Sequence, residues 1–225
     1  METRRRFLRT LTAGGSVVLL PGVFAACEDK DDNGMGPGDG DPVVLNLSTD
    51  IGIFNYAYAL EQLEAAFYTQ VVGRFSAAGI TNAMEQSILT DIRDHEVIHR
   101  EFFRAALGSA GIPDLAVDFG AALNSRQSIL ETARTFEDLG VSAYNGAGKY
   151  LADARNLLAA GKIVSVEARH ASVIRDILDS TGRDFAGDAV VDAQGLDVVR
   201  EPEDVLPLAD PFITTTISIG TQPSA

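Results

Sequence analysis

Residues 95–99 read HEVIH and residues 166–170 read VEARH. Each closes a Glu-x-x-His, Glu96 to His99 and Glu167 to His170, and together they use two of the chain's three histidines. Residues three apart on an α-helix lie on one face about a turn apart, so each Glu points with its His. Working outward, LEQLEAAFY (60–68) aligns under FEDLGVSAY (136–144), with Glu61 on Glu137, Leu63 on Leu139 and Tyr68 on Tyr144. The chain therefore reads as two copies of one helix pair. In each copy a helix bearing Glu, with Tyr seven residues later, precedes a helix bearing Glu-x-x-His.

Apolar periodicity places these motifs on four helices. The first runs from Ile51 to about Gly73. The second spans Asn82 to Leu107, with Ile88, Leu89, Ile92, Phe103 and Leu107 along one stripe. The third begins near Ser125 or Arg126 and continues, bent past Gly146 and Gly148, to Ala160; the fourth spans Lys162 to Asp179. Strand signals are few, so the fold class is all-α, a four-helix bundle over residues 46–184. The link between helices two and three, about 16 residues, can reach roughly 50 Å, enough to run the length of a bundle. This predicts one long crossover connection. Residues 185–225 form an irregular C-terminal extension expected to pack on the bundle, with a β-prone run, FITTTISI, near its end.

Four carboxylates directed into a bundle interior are costly if ionised and unpaired. Two divalent cations offset their four charges, and two imidazoles complete the coordination. The candidate ligands are Glu61, Glu96, His99, Glu137, Glu167 and His170. Glu64 lies nearer the centre of its apolar face and rivals Glu61, but the repeat pairs it with Gly140. His95 is turned about 100° from Glu96 on the helix and reads as a surface or edge histidine. Tyr68 and Tyr144 are either core residues or hold ligand carboxylates through their hydroxyls. The competing explanation of the whole pattern is two solvated helix faces.

ALEQLEAAFY, DHEVIHREFF, FEDLGVSAYNGA and VEARHASVIRDIL resemble the ferritin-like superfamily. The likeness is to the ferritin-like domain family that includes plant desiccation-related proteins and bacterial envelope relatives, and it covers Ile51 to Leu178. One Glu from each of two helices plus Glu-x-x-His from each of the others is the ligand pattern of ferritin-like dinuclear sites. The resemblance implies a dinuclear iron or manganese centre held by the six residues above. It also implies redox chemistry on peroxide, oxygen or ferrous iron. The alternative is a non-catalytic envelope stress-protection protein whose metals are structural. A tether and a long polar tail do not suit a storage cage.

The remaining composition narrows the partners. A formal charge of −14 over 225 residues argues against nucleic acid. One cysteine excludes a disulfide framework and a Cys-rich zinc site. That cysteine, Cys27, ends a basic, then apolar, then small-residue leader over residues 1–27. Within it, Thr3 to Arg9 resembles a twin-arginine export signal and VFAAC a lipobox, so Cys27 is expected to carry lipid. Phe24 departs from the usual lipobox, and plain cleavage after an Ala is the competing reading. Residues 28–45, acidic and Gly-rich, read as a tether. The expected setting is the bacterial periplasm or cell envelope, with membrane contact only through the anchor. The expected partner is a small oxidant or metal ion, and a homo-oligomer is compatible with the sequence.

Overall fold

The computed structural model describes residues 42–179 and 181–222. The expected export signal, the expected lipidation at Cys27 and most of the expected tether fall outside the described residues. Four capped helices carry the motifs. Thr49 accepts from the Gly52 amide to open α1, Asp50–Val72. Asn82 accepts from the amides of Met84 and Glu85 to open α2, Ala83–Leu107. Ser125 and Ser128 form a capping box at the start of α3, Arg126–Ala147. Asp153 accepts from the Arg155 amide and opens α4, Ala154–Leu178. Each cap satisfies amides that have no partner inside the helix.

The helices pack as two hairpins, α1 on α2 and α3 on α4, and the expected crossover joins them. Its path can be followed by its hydrogen bonds to α1. Asn55 bonds Ala110 and Ile112, and Gln62 bonds Pro113 and Leu115. The Arg126 amide then donates to the Ala78 carbonyl. The connection therefore runs beside α1 in the same direction, so α3 starts at the end of the bundle where α1 finishes. Two buried side-chain amides hold loop backbone that would otherwise lose its partners. Covered by this segment as well as by α2, α1 is buried almost without break from Gly52 to Tyr68, as befits a helix apolar on nearly every side.

Two expectations need correction. The third helix does not continue to Ala160: it ends at Ala147, a 3-10 turn follows over Gly148–Tyr150, and α4 starts at Ala154, earlier than Lys162. The Asp50 carboxylate on α1 accepts from the amides of Ala152 and Asp153 at 2.8 and 3.0 Å, holding the chain out of helix there. The tether was expected to extend to residue 45, but Val43–Asn46 is a strand, β1, with Val43 and Leu45 buried. Its partner is β2, Ile217–Thr221, from the second half of the β-prone run, paired in parallel with Val43 opposite Ile217.

The C-terminal segment reaches this strand by returning over α3. Arg200 donates its amide to the Ser142 carbonyl and its guanidinium to the Ser142 hydroxyl. A Cβ at Gly146 would stand 1.8 Å from the Arg200 carbonyl oxygen, so only glycine permits this approach. A short helix, α5 (Pro202–Ala209), follows, and Phe212 meets Phe136 edge to face at 4.9 Å. The tail thus braces the helix that carries Glu137. Among the described residues no helix is long and apolar enough to cross a membrane.

Candidate metal centre

The capped helices bring Glu61 on α1, Glu96 and His99 on α2, Glu137 on α3, and Glu167 and His170 on α4 to one place in the interior. The four carboxylates are 0% exposed, and His99 and His170 are 8% and 4% exposed, which excludes solvated helix faces as the explanation of the motif. The residues form two groups of four, Glu61, Glu96, His99 and Glu167, and Glu96, Glu137, Glu167 and His170. Within each group, ligand atoms lie within 4.8 Å of one another. Glu96 and Glu167 belong to both.

The geometry has the two-fold character of the repeat. His99 Nδ1 stands 2.7 Å from Glu167 Oε1, 3.4 Å from Glu61 Oε2 and 3.5 Å from Glu96 Oε2. His170 Nδ1 stands 2.8 Å from Glu96 Oε1, 3.4 Å from Glu137 Oε2 and 3.3 Å from Glu167 Oε2. Each shared carboxylate therefore turns one oxygen to each histidine.

These are ion-pair distances, yet the atoms do not meet in hydrogen-bond geometry. Glu61 Oε2, both oxygens of Glu96 and Glu167, Glu137 Oε2, His99 Nδ1 and His170 Nδ1 are all buried with no hydrogen-bond partner. Such atoms are rare in folded proteins and call for a ligand or ion. Donors bound to one cation at about 2.1 Å stand roughly 3.0 Å apart at a right angle and about 3.4 Å apart at the tetrahedral angle. The observed spacings fit that pattern, and the hard-oxygen and imidazole donor set suits a divalent transition metal.

The electrostatics point the same way. Burial pushes Glu96 up, and the Glu167 charge adds to this against the pull of His170 and His99, to about 8. Burial also raises Glu137, to about 7, against the lowering charge of His170. In Glu167 burial is outweighed by His170 and His99, which bring it down to about 2. Burial opposes charge on the histidines too. Glu61 chiefly, for His99, and Glu137 chiefly, for His170, nevertheless hold both well above the usual histidine range. The cluster demands positive charge, as protons or as cations.

The remaining oxygens of the outer carboxylates are held by tyrosines. Tyr68 donates to Glu137 Oε1 at 2.6 Å and Tyr144 donates to Glu61 Oε1 at 2.5 Å. Burial, then the neighbouring carboxylates, push both phenols well above their ordinary range, which keeps them donors. One oxygen of each outer carboxylate is thereby fixed and the other is turned inward.

A model of the ferritin-like domain matches residues 49–180, well over half the chain. The chain belongs to the ferritin-like domain family. Comparison with the curated proteins finds no match. The matched ferritin-like region runs from the Thr49 cap of α1 to just past the end of α4, so the centre lies wholly inside it.

Three further features complete this ferritin-like site. His95 sits at the edge of the bundle interior, half-buried, and what its spacing did not show is its contact with a ligand: its Nδ1 is 2.9 Å from His170 Nε2, and the two rings are parallel within 8°. Glu64 is buried but belongs to neither group of four. Its Oε1 lies where a Cβ at Gly140 would stand 3.2 Å away, which gives the repeat's Glu64–Gly140 mismatch a packing reason. Burial, then the nearby carboxylates, raise Glu64 well above the usual range. Lastly, an arginine follows each ligand histidine by five residues. Arg104 donates to the Tyr58 hydroxyl, and Arg175 holds Asp138 with two donors, so each ties its own hairpin together. The shared offset could have revealed them.

Proposed function

We propose that this is an exported ferritin-like protein that binds a dinuclear iron or manganese centre and uses it in redox chemistry on peroxide, oxygen or ferrous iron. The observation that carries the reading is the set of eight buried oxygen and nitrogen atoms without hydrogen-bond partners, arranged as two overlapping groups of four. Glu61, Glu96, Glu167 and His99 would hold one ion, and Glu137, Glu96, Glu167 and His170 the other. Two divalent ions balance the four carboxylates, which otherwise depend on protons.

When bound, an iron or manganese pair would supply one-electron chemistry toward a small oxidant. The chain's own residues supply the rest. Tyr144 and Tyr68 orient Glu61 and Glu137, so that each presents a single oxygen. Glu96 and Glu167 fix the separation of the two positions by facing both histidines. Buried Leu63, Phe67, Phe103 and Phe136 belong to the surrounding core and limit the access of bulk water. The leader that resembles a twin-arginine signal and the lipobox-like VFAAC ending in Cys27 are the sequence features that support export and an envelope anchor. They also fit a cofactor inserted before export.

A second reading is favoured by the depth of the site, whose ligands are all buried: the metals are structural and the protein protects the envelope without turnover. Metal analysis with anomalous scattering on the purified protein, followed by turnover assays with peroxide, oxygen and ferrous iron, separates the two. Two metals with turnover support redox chemistry. Two metals that raise the melting temperature without turnover support the structural reading, and absence of metal overturns both.

A further inference from the structure

The two halves of the centre match in their ligands but not in what stands behind them. A histidine that binds a metal through Nδ1 carries its proton on Nε2, and an acceptor placed there fixes both the tautomer and the ring plane. His170 turns Nδ1 to Glu96, Glu137 and Glu167, and its Nε2 meets His95 Nδ1 at 2.9 Å with the rings nearly coplanar. His95 Nδ1 is thus the acceptor, with its own proton on Nε2. The repeat that sets Glu96 on Glu167 sets His95 on Val166, which has no acceptor to offer. Among the described residues, no hydrogen bond reaches His99 Nε2 in the way His95 reaches His170.

We propose that His95 is a positioning residue that holds His170 in its metal-binding tautomer and so makes the two metal positions unequal, the one on His170 tighter than the one on His99. This rests on the metal-centre reading above. The duplicated ligands alone would give two like positions; one residue outside the repeat breaks the symmetry. The tighter position is then the resident one, and the other is suited to exchange.

The test is an anaerobic Mn2+ titration of the full protein, followed by the EPR signal of the free ion. The wild type is expected to bind in two steps. His95→Phe should weaken the tighter step by about 10–100-fold, the usual effect of losing a ligand's outer partner, and leave the weaker step in place. His95→Gln, whose side-chain oxygen can still accept, should restore most of the loss. If both steps survive His95→Phe unchanged, or if both fall together, the inference is overturned while the metal centre stands. If the wild type binds no ion, the metal-centre reading fails and takes this one with it.

A second measurement does not depend on the variant folding. With only three histidines in the chain, the 15N spectrum of the Zn2+-loaded wild type can be assigned. His170 and His95 should both carry their protons on Nε2. A proton on His95 Nδ1 would overturn the inference.

Discussion

Tyr68 on α1 donates its hydroxyl to Glu137 on α3 at 2.6 Å, and Tyr144 on α3 returns the same bond to Glu61 on α1. The anchor of each outer carboxylate therefore sits on the opposite copy of the repeat, and neither hairpin completes its half of the centre alone. Tyr68→Phe leaves Glu137 Oε1 buried without a donor, at a cost of about 1–3 kcal/mol in urea unfolding. The same change should lower metal affinity by about tenfold, because the carboxylate is no longer held in one orientation. Unchanged affinity would mean that the hydroxyl serves only the core.

The shared carboxylates should behave differently from the outer ones. Glu96 and Glu167 each face both histidines, whereas Glu61 and Glu137 face one. If the site holds the two ions proposed, Glu167→Ala is therefore expected to abolish both, and Glu61→Ala to leave one. Metal content after dialysis, measured with far-UV dichroism to confirm folding, distinguishes the two outcomes. Equal loss from both variants would deny Glu96 and Glu167 a bridging position.

Metal-free protein should lose stability as pH rises. Glu96 and Glu137 are raised from 4.5 to about 8 and about 7. Each folded-state proton is held more tightly than in the unfolded chain, so their contribution is complete below pH 4.5 and fades as pH rises through those values. The raised histidines act in the same sense above pH 6.5. Glu167, lowered to about 2, works the other way, and its contribution is lost only as pH falls from 4.5 toward 2. The melting temperature of metal-free protein is expected to fall between pH 5 and pH 8. The increment from added Mn2+ should grow over the same window, as protons cease to compete for the ligands. A flat metal-free profile would contradict this charge balance.

Gly146→Ala sets two effects against each other. Alanine favours a helix interior by about 1 kcal/mol over glycine, but its Cβ would stand 1.8 Å from the Arg200 carbonyl oxygen. Backbone on both sides leaves little room to yield, and overpacking of this kind costs about 1–3 kcal/mol. The expected result is a net loss of stability with faster proteolysis around residues 190–200, as the tail leaves α3. A stabilised variant would show that the tail is not seated on Gly146.

Much of the site was legible because a helix fixes the direction of its side chains by spacing alone. Glu96 with His99, and Glu167 with His170, must share a face wherever the helices go, and the duplicate Glu61 and Glu137 followed from the same register. What lay beyond spacing was missed in the places where a second element intervenes. Asp50 breaks the chain before α4 by reaching amides a hundred residues away. The strand at Val43 exists only because the far C-terminus returns to pair with it. His95, turned off its own helix's ligand face, is brought against His170 by α4.

The sequence by itself determined four helices, their duplication, and that Glu61, Glu137 and the two Glu-x-x-His pairs point inward, since these depend on the 3.6-residue turn and on burying apolar surface. The tertiary structure decided which tyrosine holds which carboxylate, that Glu96 and Glu167 serve both halves, and that one histidine backs another on one side only. Those relations depend on how separate helices are set against each other to within about an ångström, and local periodicity carries no record of that.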